Sequence, residues 1–206
     1  MSKANYIAVA GNIGCGKSTL VDFICRHFAV QPFFEPNAEN PYIVDFYADM
    51  KRWAFHSQIY FLTHKFRIHQ ELERERSKHT VVQDRTIFED AEVFAAMLHR
   101  GRSINKRDWQ VYQNLYNAIV SSLAPPDLMI YLKASVRTIR KRIKMRGRPE
   151  EQAIPASYLR GLNELYEEWF ASYKRSPTIV LETDNLDYLT DLEHRIDVLN
   201  TIEQHL

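Results

Sequence analysis

Gly11-Asn12-Ile13-Gly14-Cys15-Gly16-Lys17-Ser18-Thr19 follows the apolar run Tyr6-Ile7-Ala8-Val9-Ala10 without a break. It satisfies the phosphate-loop template G-x-x-x-x-G-K-[ST], between a short apolar strand and an amphipathic segment, Lys17–Phe28. Glycines let successive backbone N–H groups turn toward the oxygens of an anion, and a helix beginning at Lys17 adds the positive end of its dipole. In such a loop Lys17 reaches the β- and γ-phosphates of a nucleoside triphosphate, and Ser18 ligates Mg²⁺. Glycine clusters also make plain turns; the strand before and the helix after are what favour a phosphate site here.

Working outward, short apolar runs alternate with helical periodicity. Strands are expected at Tyr6–Ala10, Val30–Phe34, Thr80–Gln83, Leu128–Leu132 and Thr178–Leu181. Helices are expected at Lys17–Phe28, Trp53–Arg76, Glu89–His99, Trp109–Ser122, Val136–Arg146, Tyr158–Tyr173 and Leu192–Gln204. Near-continuous apolar strands separated by helices call for an α/β fold, a five-stranded parallel sheet covered on both faces. The 206 residues, 45% hydrophobic and 26% charged, suit one domain. A net charge of +1 gives no global field to draw nucleic acid or anionic lipid, so phosphate recognition must be local. The first strand starts five residues in, which leaves no room for a leader, and no apolar run reaches the length of a membrane span. A soluble cytoplasmic protein is expected. Cys15 and Cys25 make no disulfide framework, and the histidines show no zinc-ligand spacing. Cys15 at a helix start could be oxidisable, but reads better as a small loop filler.

Two strand ends carry further chemistry. Val81-Val82-Gln83 ends in Asp84-Arg85-Thr86, and ligands of open parallel sheets collect beyond the strands' carboxyl ends. Asp84 there can hold Mg²⁺ or its waters, and Arg85 can neutralise a phosphoryl group in transfer. Phe33-Phe34 ends in Glu35-Pro36, where a carboxylate could accept the proton of an attacking hydroxyl. Gln58 and Lys65 lie seven apart on one helix face, Asp90 and Phe94 four apart on another, so each pair can address one ligand. Gln58 is surrounded by Phe55, Ile59, Tyr60, Phe61 and Leu62, and a buried amide needs a partner.

Together these segments resemble the deoxyribonucleoside kinase family, which contains deoxycytidine, deoxyguanosine and bacterial deoxyadenosine kinases; the last look nearest. Five motifs carry the resemblance in order: the phosphate loop; Glu35-Pro36; Arg52-Trp53-Ala54-Phe55-His56-Ser57-Gln58-Ile59-Tyr60; Asp84-Arg85-Thr86 with Glu89-Asp90; and Arg146-Gly147-Arg148-Pro149-Glu150-Glu151. The resemblance implies ATP or GTP as donor, Mg²⁺ at Ser18 and Asp84, and a deoxynucleoside acceptor. By it, Glu35 is similar to the general base at the 5′-hydroxyl and Arg85 to the phosphate-stabilising arginine. Tyr47 and Glu151 fall where the family binds the 3′-hydroxyl; Trp53, Gln58, Asp90 and Phe94 fall where it encloses and reads the base. Arg142, Arg146 and Arg148 look like the lid over the triphosphate. It also implies a homodimer built by helix packing and feedback inhibition by an end-product triphosphate. Deoxyadenosine is expected as best substrate, deoxycytidine or deoxyguanosine as secondary, thymidine as poor. Lys65 departs from the arginine often paired with the base-reading aspartate.

Two rivals share parts of this pattern. A thymidylate-type nucleoside monophosphate kinase has Arg before its Glu-Pro and glycines after it, whereas Phe34 precedes and Asn37-Ala38 follows here. A GTPase switch would read guanine with N-K-x-D, which Asn105-Lys106-Arg107-Asp108 matches. That motif should close a buried strand; here it opens the helix at Trp109, with Asp108 at or near the cap.

Overall fold

The structure, a computed structural model, describes residues 5–34 and 39–205. Five parallel strands, β1 (Tyr6–Ala10), β2 (Val30–Phe33), β3 (Thr80–Asp84), β4 (Leu128–Lys133) and β5 (Thr178–Glu182), form one sheet in the order β2-β3-β1-β4-β5. β1 is buried at every position and β4 at all but its last, as strands covered on both faces must be. Each wholly buried Ile, Leu or Val there contributes about 1.5–3 kcal/mol. Val9 pairs with Asp84 and Ala10 with Tyr131, so the segment after β1 leaves the sheet between the ends of β3 and β4. That is the point where strand order reverses and where ligands of such sheets bind.

The helices are α1 (Lys17–His27), α2 (Ile43–Ala48), α3 (Met50–Glu75), α4 (Ile87–Glu89), α5 (Ala96–Arg100), α6 (Lys106–Val120), α7 (Val136–Arg146), α8 (Ala156–Ser172) and α9 (Leu192–Glu203). Side-chain caps start several of them: Asp49 accepts from Arg52 N, Ser135 from Thr138 N and Asp191 from His194 N. α7 stops at Gly147, whose φ of 71° lies in the left-handed region that suits glycine.

Three expectations need correction. α2 was not foreseen; its Phe46 is buried, while Val44 and Asp45 face solvent. The segment expected as one helix over Glu89–His99 starts at Ile87 and passes through a π-helical stretch, Asp90–Ala95, before α5. α6 begins at Lys106, not Trp109, and its cap is Asn105, which accepts from Asp108 N at 2.9 Å. The Asn105–Asp108 tetrapeptide therefore opens a helix and closes no strand. Among the described residues no helix is long and apolar enough to cross a membrane, and no group of three His, Cys, Asp or Glu could hold a metal ion.

Candidate active site

The loop after β1 is shaped by its glycines and tied down at both sides. A Cβ on Gly11 would stand 2.7 Å from both Cys15 Sγ and the Leu132 carbonyl, and Gly16 holds φ at 110°. Asn12 Nδ2 donates to Leu159 O at 3.0 Å and to Asn163 Oδ1 at 2.5 Å on α8, while its own Oδ1 accepts from Ile13 N. The Asn12 side chain thus anchors the loop. Lys17, largely buried, donates to Asn12 O at 3.1 Å, folded back across the loop. Cys15 is buried and burial pushes its thiol pKa up, which fits the filler reading. Arg142 bridges the loop to the end of β5, donating to Cys15 O at 2.7 Å and to Thr183 Oγ1 and O at 2.9 and 2.6 Å.

Ser18 Oγ donates to Asp84 Oδ2 at 2.6 Å. Asp84 Oδ1 is buried with no hydrogen-bond partner among the described residues. Arg85 follows at φ 60°, a left-handed conformation rare for a residue with a Cβ. Its Nη2 donates to Gly11 O at 3.2 Å, and its guanidinium lies 4.3 Å from the centre of the Phe94 ring, a cation–π contact. Its Nε is 3.8 Å from Glu89 and 4.0 Å from Asp90.

Glu89 received no role from the sequence, although Thr86-x-x-Glu89 has the form of a capping box. The box is formed: Glu89 Oε1 accepts from Thr86 N at 3.1 Å, and Glu89 N donates to Thr86 Oγ1. The other oxygen accepts from Gly11 N at 3.3 Å, so this buried carboxyl joins the glycine loop to the Asp84–Arg85 turn. Burial pushes its pKa up to about 8, against the pull of Arg85 and Lys17.

A cavity of about 260 Å³ brings these groups together with those read at a distance in sequence. Ile13, Gly14, Lys17 and Ser18 of the loop, Asp84 and Arg85, Gln58 of α3, and Asp90 and Phe94 of the π-helical stretch all line it. Tyr47 lines it from α2, Arg146 from the end of α7, and Arg148 and Glu151 from the segment after it. Gln58 is buried and its Oε1 has no hydrogen-bond partner among the described residues. Glu151 accepts from Arg146 Nε at 3.0 Å, from Arg146 Nη2 and from Arg148 Nη1 at 3.3 Å. Trp53 does not line the cavity; it packs between Tyr42, with stacked ring centres 5.7 Å apart, and His56. Lys65 shares the inner face of α3 with Gln58 but is not in the lining either. Glu35 lies outside the described residues; its neighbour Phe34 lines the cavity. Phe61 and Tyr158 complete the apolar wall and were missed, because a cavity-lining aromatic and a core aromatic have the same periodicity. Ile43, Phe46 and Tyr47 do carry a helical i, i+3, i+4 spacing that could have revealed their face.

A second hollow, about 600 Å³, opens on the other side of the loop between α7 and the segment after β5. It shares Gly14 and Arg146 with the first.

Known proteins resemble this chain over almost its whole length. The family model described as deoxynucleoside kinase matches residues 7–206. The deoxyadenosine/deoxycytidine kinase of Bacillus subtilis is 33% identical over 205 residues, covering 97% of this chain and 94% of its own length. A deoxyguanosine kinase of Lactobacillus acidophilus is also 33% identical, over 97% of this chain and 90% of its own. The structure of deoxyadenosine kinase from M. mycoides with bound dATP superposes with a TM-score of 0.82 at 34% identity, covering 95% of this chain and 99% of that one. The same enzyme with bound dCTP gives 0.81. With the glycine loop, the Asp84–Arg85 turn and the Gln58–Asp90–Phe94 wall gathered in one cavity, and with this likeness over almost its whole length, the chain belongs to the deoxynucleoside kinase family.

Proposed function

We propose that this chain transfers the γ-phosphoryl group of ATP or GTP to the 5′-hydroxyl of a deoxyribonucleoside, with deoxyadenosine the best acceptor, deoxycytidine or deoxyguanosine next, and thymidine poor. The observation that carries the reading is a single cavity lined at once by Lys17 and Ser18, by Asp84 and Arg85, and by Gln58, Asp90 and Phe94. The γ-phosphate lies on the loop facing this cavity, and the nucleoside end of the donor lies in the second hollow, which shares Gly14 and Arg146 with the first.

In the reaction, Lys17 leaves Asn12 O for the β- and γ-phosphates, and Arg85 neutralises charge on the phosphoryl group in transfer. Glu35 accepts the 5′-hydroxyl proton. Tyr47 and Glu151 hold the 3′-hydroxyl, and Arg142, Arg146 and Arg148 hold the triphosphate. The hydroxyl of Ser18 and the carboxylate of Asp84 are hard oxygen donors, and the unpartnered Asp84 Oδ1 fits a Mg²⁺ site or its water shell. Bound Mg²⁺ neutralises phosphate charge. Gln58 and Asp90 meet the base edge. Gln58 Oε1, which has no hydrogen-bond partner among the described residues, and the Asp90 carboxylate suit an exocyclic amino group, which adenine and cytosine both carry. A thymine carbonyl would face acceptors, leaving buried groups unpaired at a cost of ~1–3 kcal/mol. The name of the Bacillus subtilis relative, and the dATP and dCTP held by the M. mycoides kinase, support an adenine or cytosine deoxynucleoside as acceptor. A homodimer is part of the proposal; Val111 and Leu115, exposed one turn apart on α6, offer an apolar stripe for helix packing.

The test is an assay with ATP and Mg²⁺ against the four deoxynucleosides and deoxythymidine monophosphate. The highest kcat/KM is expected with deoxyadenosine. Thymidine ranking highest would overturn the base assignment, and turnover of the monophosphate alone would favour the thymidylate-kinase rival.

A further inference from the structure

Lys65 has no exposed surface, and a buried ammonium is costly unless its protons find acceptors. Its Nζ donates to the carbonyl oxygen of Asp84 at 3.1 Å and to that of Arg85 at 2.5 Å. Asp90 Oδ2 is farther away, at 4.0 Å. Gln58, on the same face of α3, lines the cavity, whereas Lys65 does not.

The two carbonyls flank the residue in the left-handed conformation. In a continuing strand, successive carbonyls point to opposite sides, and no single ammonium reaches both. At the φ of 60° found for Arg85 they converge, and Lys65 meets them from α3. The same turn carries the Arg85 guanidinium to Gly11 O and over the Phe94 ring.

We propose that Lys65 is a positioning residue: it holds the Asp84–Arg85 turn left-handed, so that the Arg85 guanidinium stands against the phosphate loop, and it does not read the base. The inference rests on the kinase reading above. Lys65→Met keeps the length of the side chain and removes the charge. It is expected to lower kcat about 10–100-fold, with KM for deoxyadenosine within about threefold and the ranking of bases unchanged. In an Arg85→Ala background the same substitution changes kcat by less than about threefold, since Arg85 is then no longer there to be placed. Should Lys65→Met fail to fold, as its melting curve would show, Lys65→Gln, polar but too short to bridge both carbonyls, is read by the same criteria. An unaltered kcat, a loss confined to deoxynucleoside KM or to base ranking, or full additivity with Arg85→Ala overturns the proposal. A crystal structure of the variant gives a readout independent of activity: Arg85 leaving the left-handed region supports the clamp, and an unmoved turn refutes it even if the wild type proved not to be a kinase.

Discussion

Glu89 shows how one side chain can tie the glycine loop after β1 to the turn after β3, since it accepts N–H groups from both Gly11 and Thr86 without any exposed surface. A carboxyl whose pKa rises on folding, here from 4.5 to about 8, binds its proton more tightly in the folded state. The stability this gives is fully present below about pH 4.5 and is lost as pH rises through about 8. Wild type should therefore lose stability between pH 5 and pH 8.5, at up to ~1.4 kcal/mol per pH unit from this group, and Glu89→Gln should flatten that slope. Urea unfolding at three pH values checks it; equal slopes would mean that Glu89 is already ionised at pH 5. At Glu35 the expectation is chemical: Glu35→Gln should cut kcat by roughly 10²–10⁴ with a smaller change in KM, because the amide keeps shape and loses basicity. A raised KM with unchanged kcat would make Glu35 a binding group. The cavity-lining residues legible in sequence include those at the end of β3 and in the glycine loop, where local pattern and chemistry coincide. Lys65 was visible as a charge on the right helix face, but its two carbonyl partners depend on the backbone conformation of Arg85, which no spacing encodes.

Among the elements, the segment from α7 to the 3₁₀ turn Pro149–Glu151 couples the two ends of the site, because Glu151 is held by Arg146 and Arg148 together. Arg148→Ala leaves the Arg146 pair in place, so it should weaken the phosphate donor with deoxynucleoside KM within about threefold. Replacing both arginines strips a largely buried carboxylate of the two partners described for it, and deoxynucleoside KM should then rise as well. Separate donor and acceptor titrations distinguish the cases; equal acceptor KM in the single and double variants would dissociate Glu151 from the sugar. The helix of this segment was legible to the residue, since Val136–Arg146 has clear periodicity and ends at glycine. α2 was not: Ile43, Phe46 and Tyr47 keep a helical spacing, but the helix gives less than two turns to read it from. The π-helical stretch was equally hidden: Glu92, on its outer side, accepts from Tyr116, Trp169 and Arg175, contacts made across distant parts of the chain.

For the whole molecule, the parallel sheet was readable because its central strands are covered on both faces and therefore appear as unbroken apolar runs. The sheet sets the phosphate loop between two hollows that meet at Gly14 and Arg146. A deoxynucleoside and an adenosine joined through a polyphosphate should fill both, and raise the melting temperature more than either nucleoside or ATP alone at equal concentration. Ligand at 100 times its Kd adds about 2.7 kcal/mol, so a linked ligand that binds tighter at the same concentration gives a larger shift in a thermal scan. No gain over ATP alone would mean that the hollows do not act as one site. The strand order also governs how the chain must be assembled. β1 is made first yet sits in the middle, with Ile7 between Val82 and Leu128. During synthesis it stays without one neighbour until β4 has left the ribosome, so an apolar strand carrying the unformed glycine loop waits while everything up to Lys133 is made. Truncations ending before Leu128 should consequently aggregate or be held by chaperones, and nucleotide affinity should arise only in chains that extend past β4.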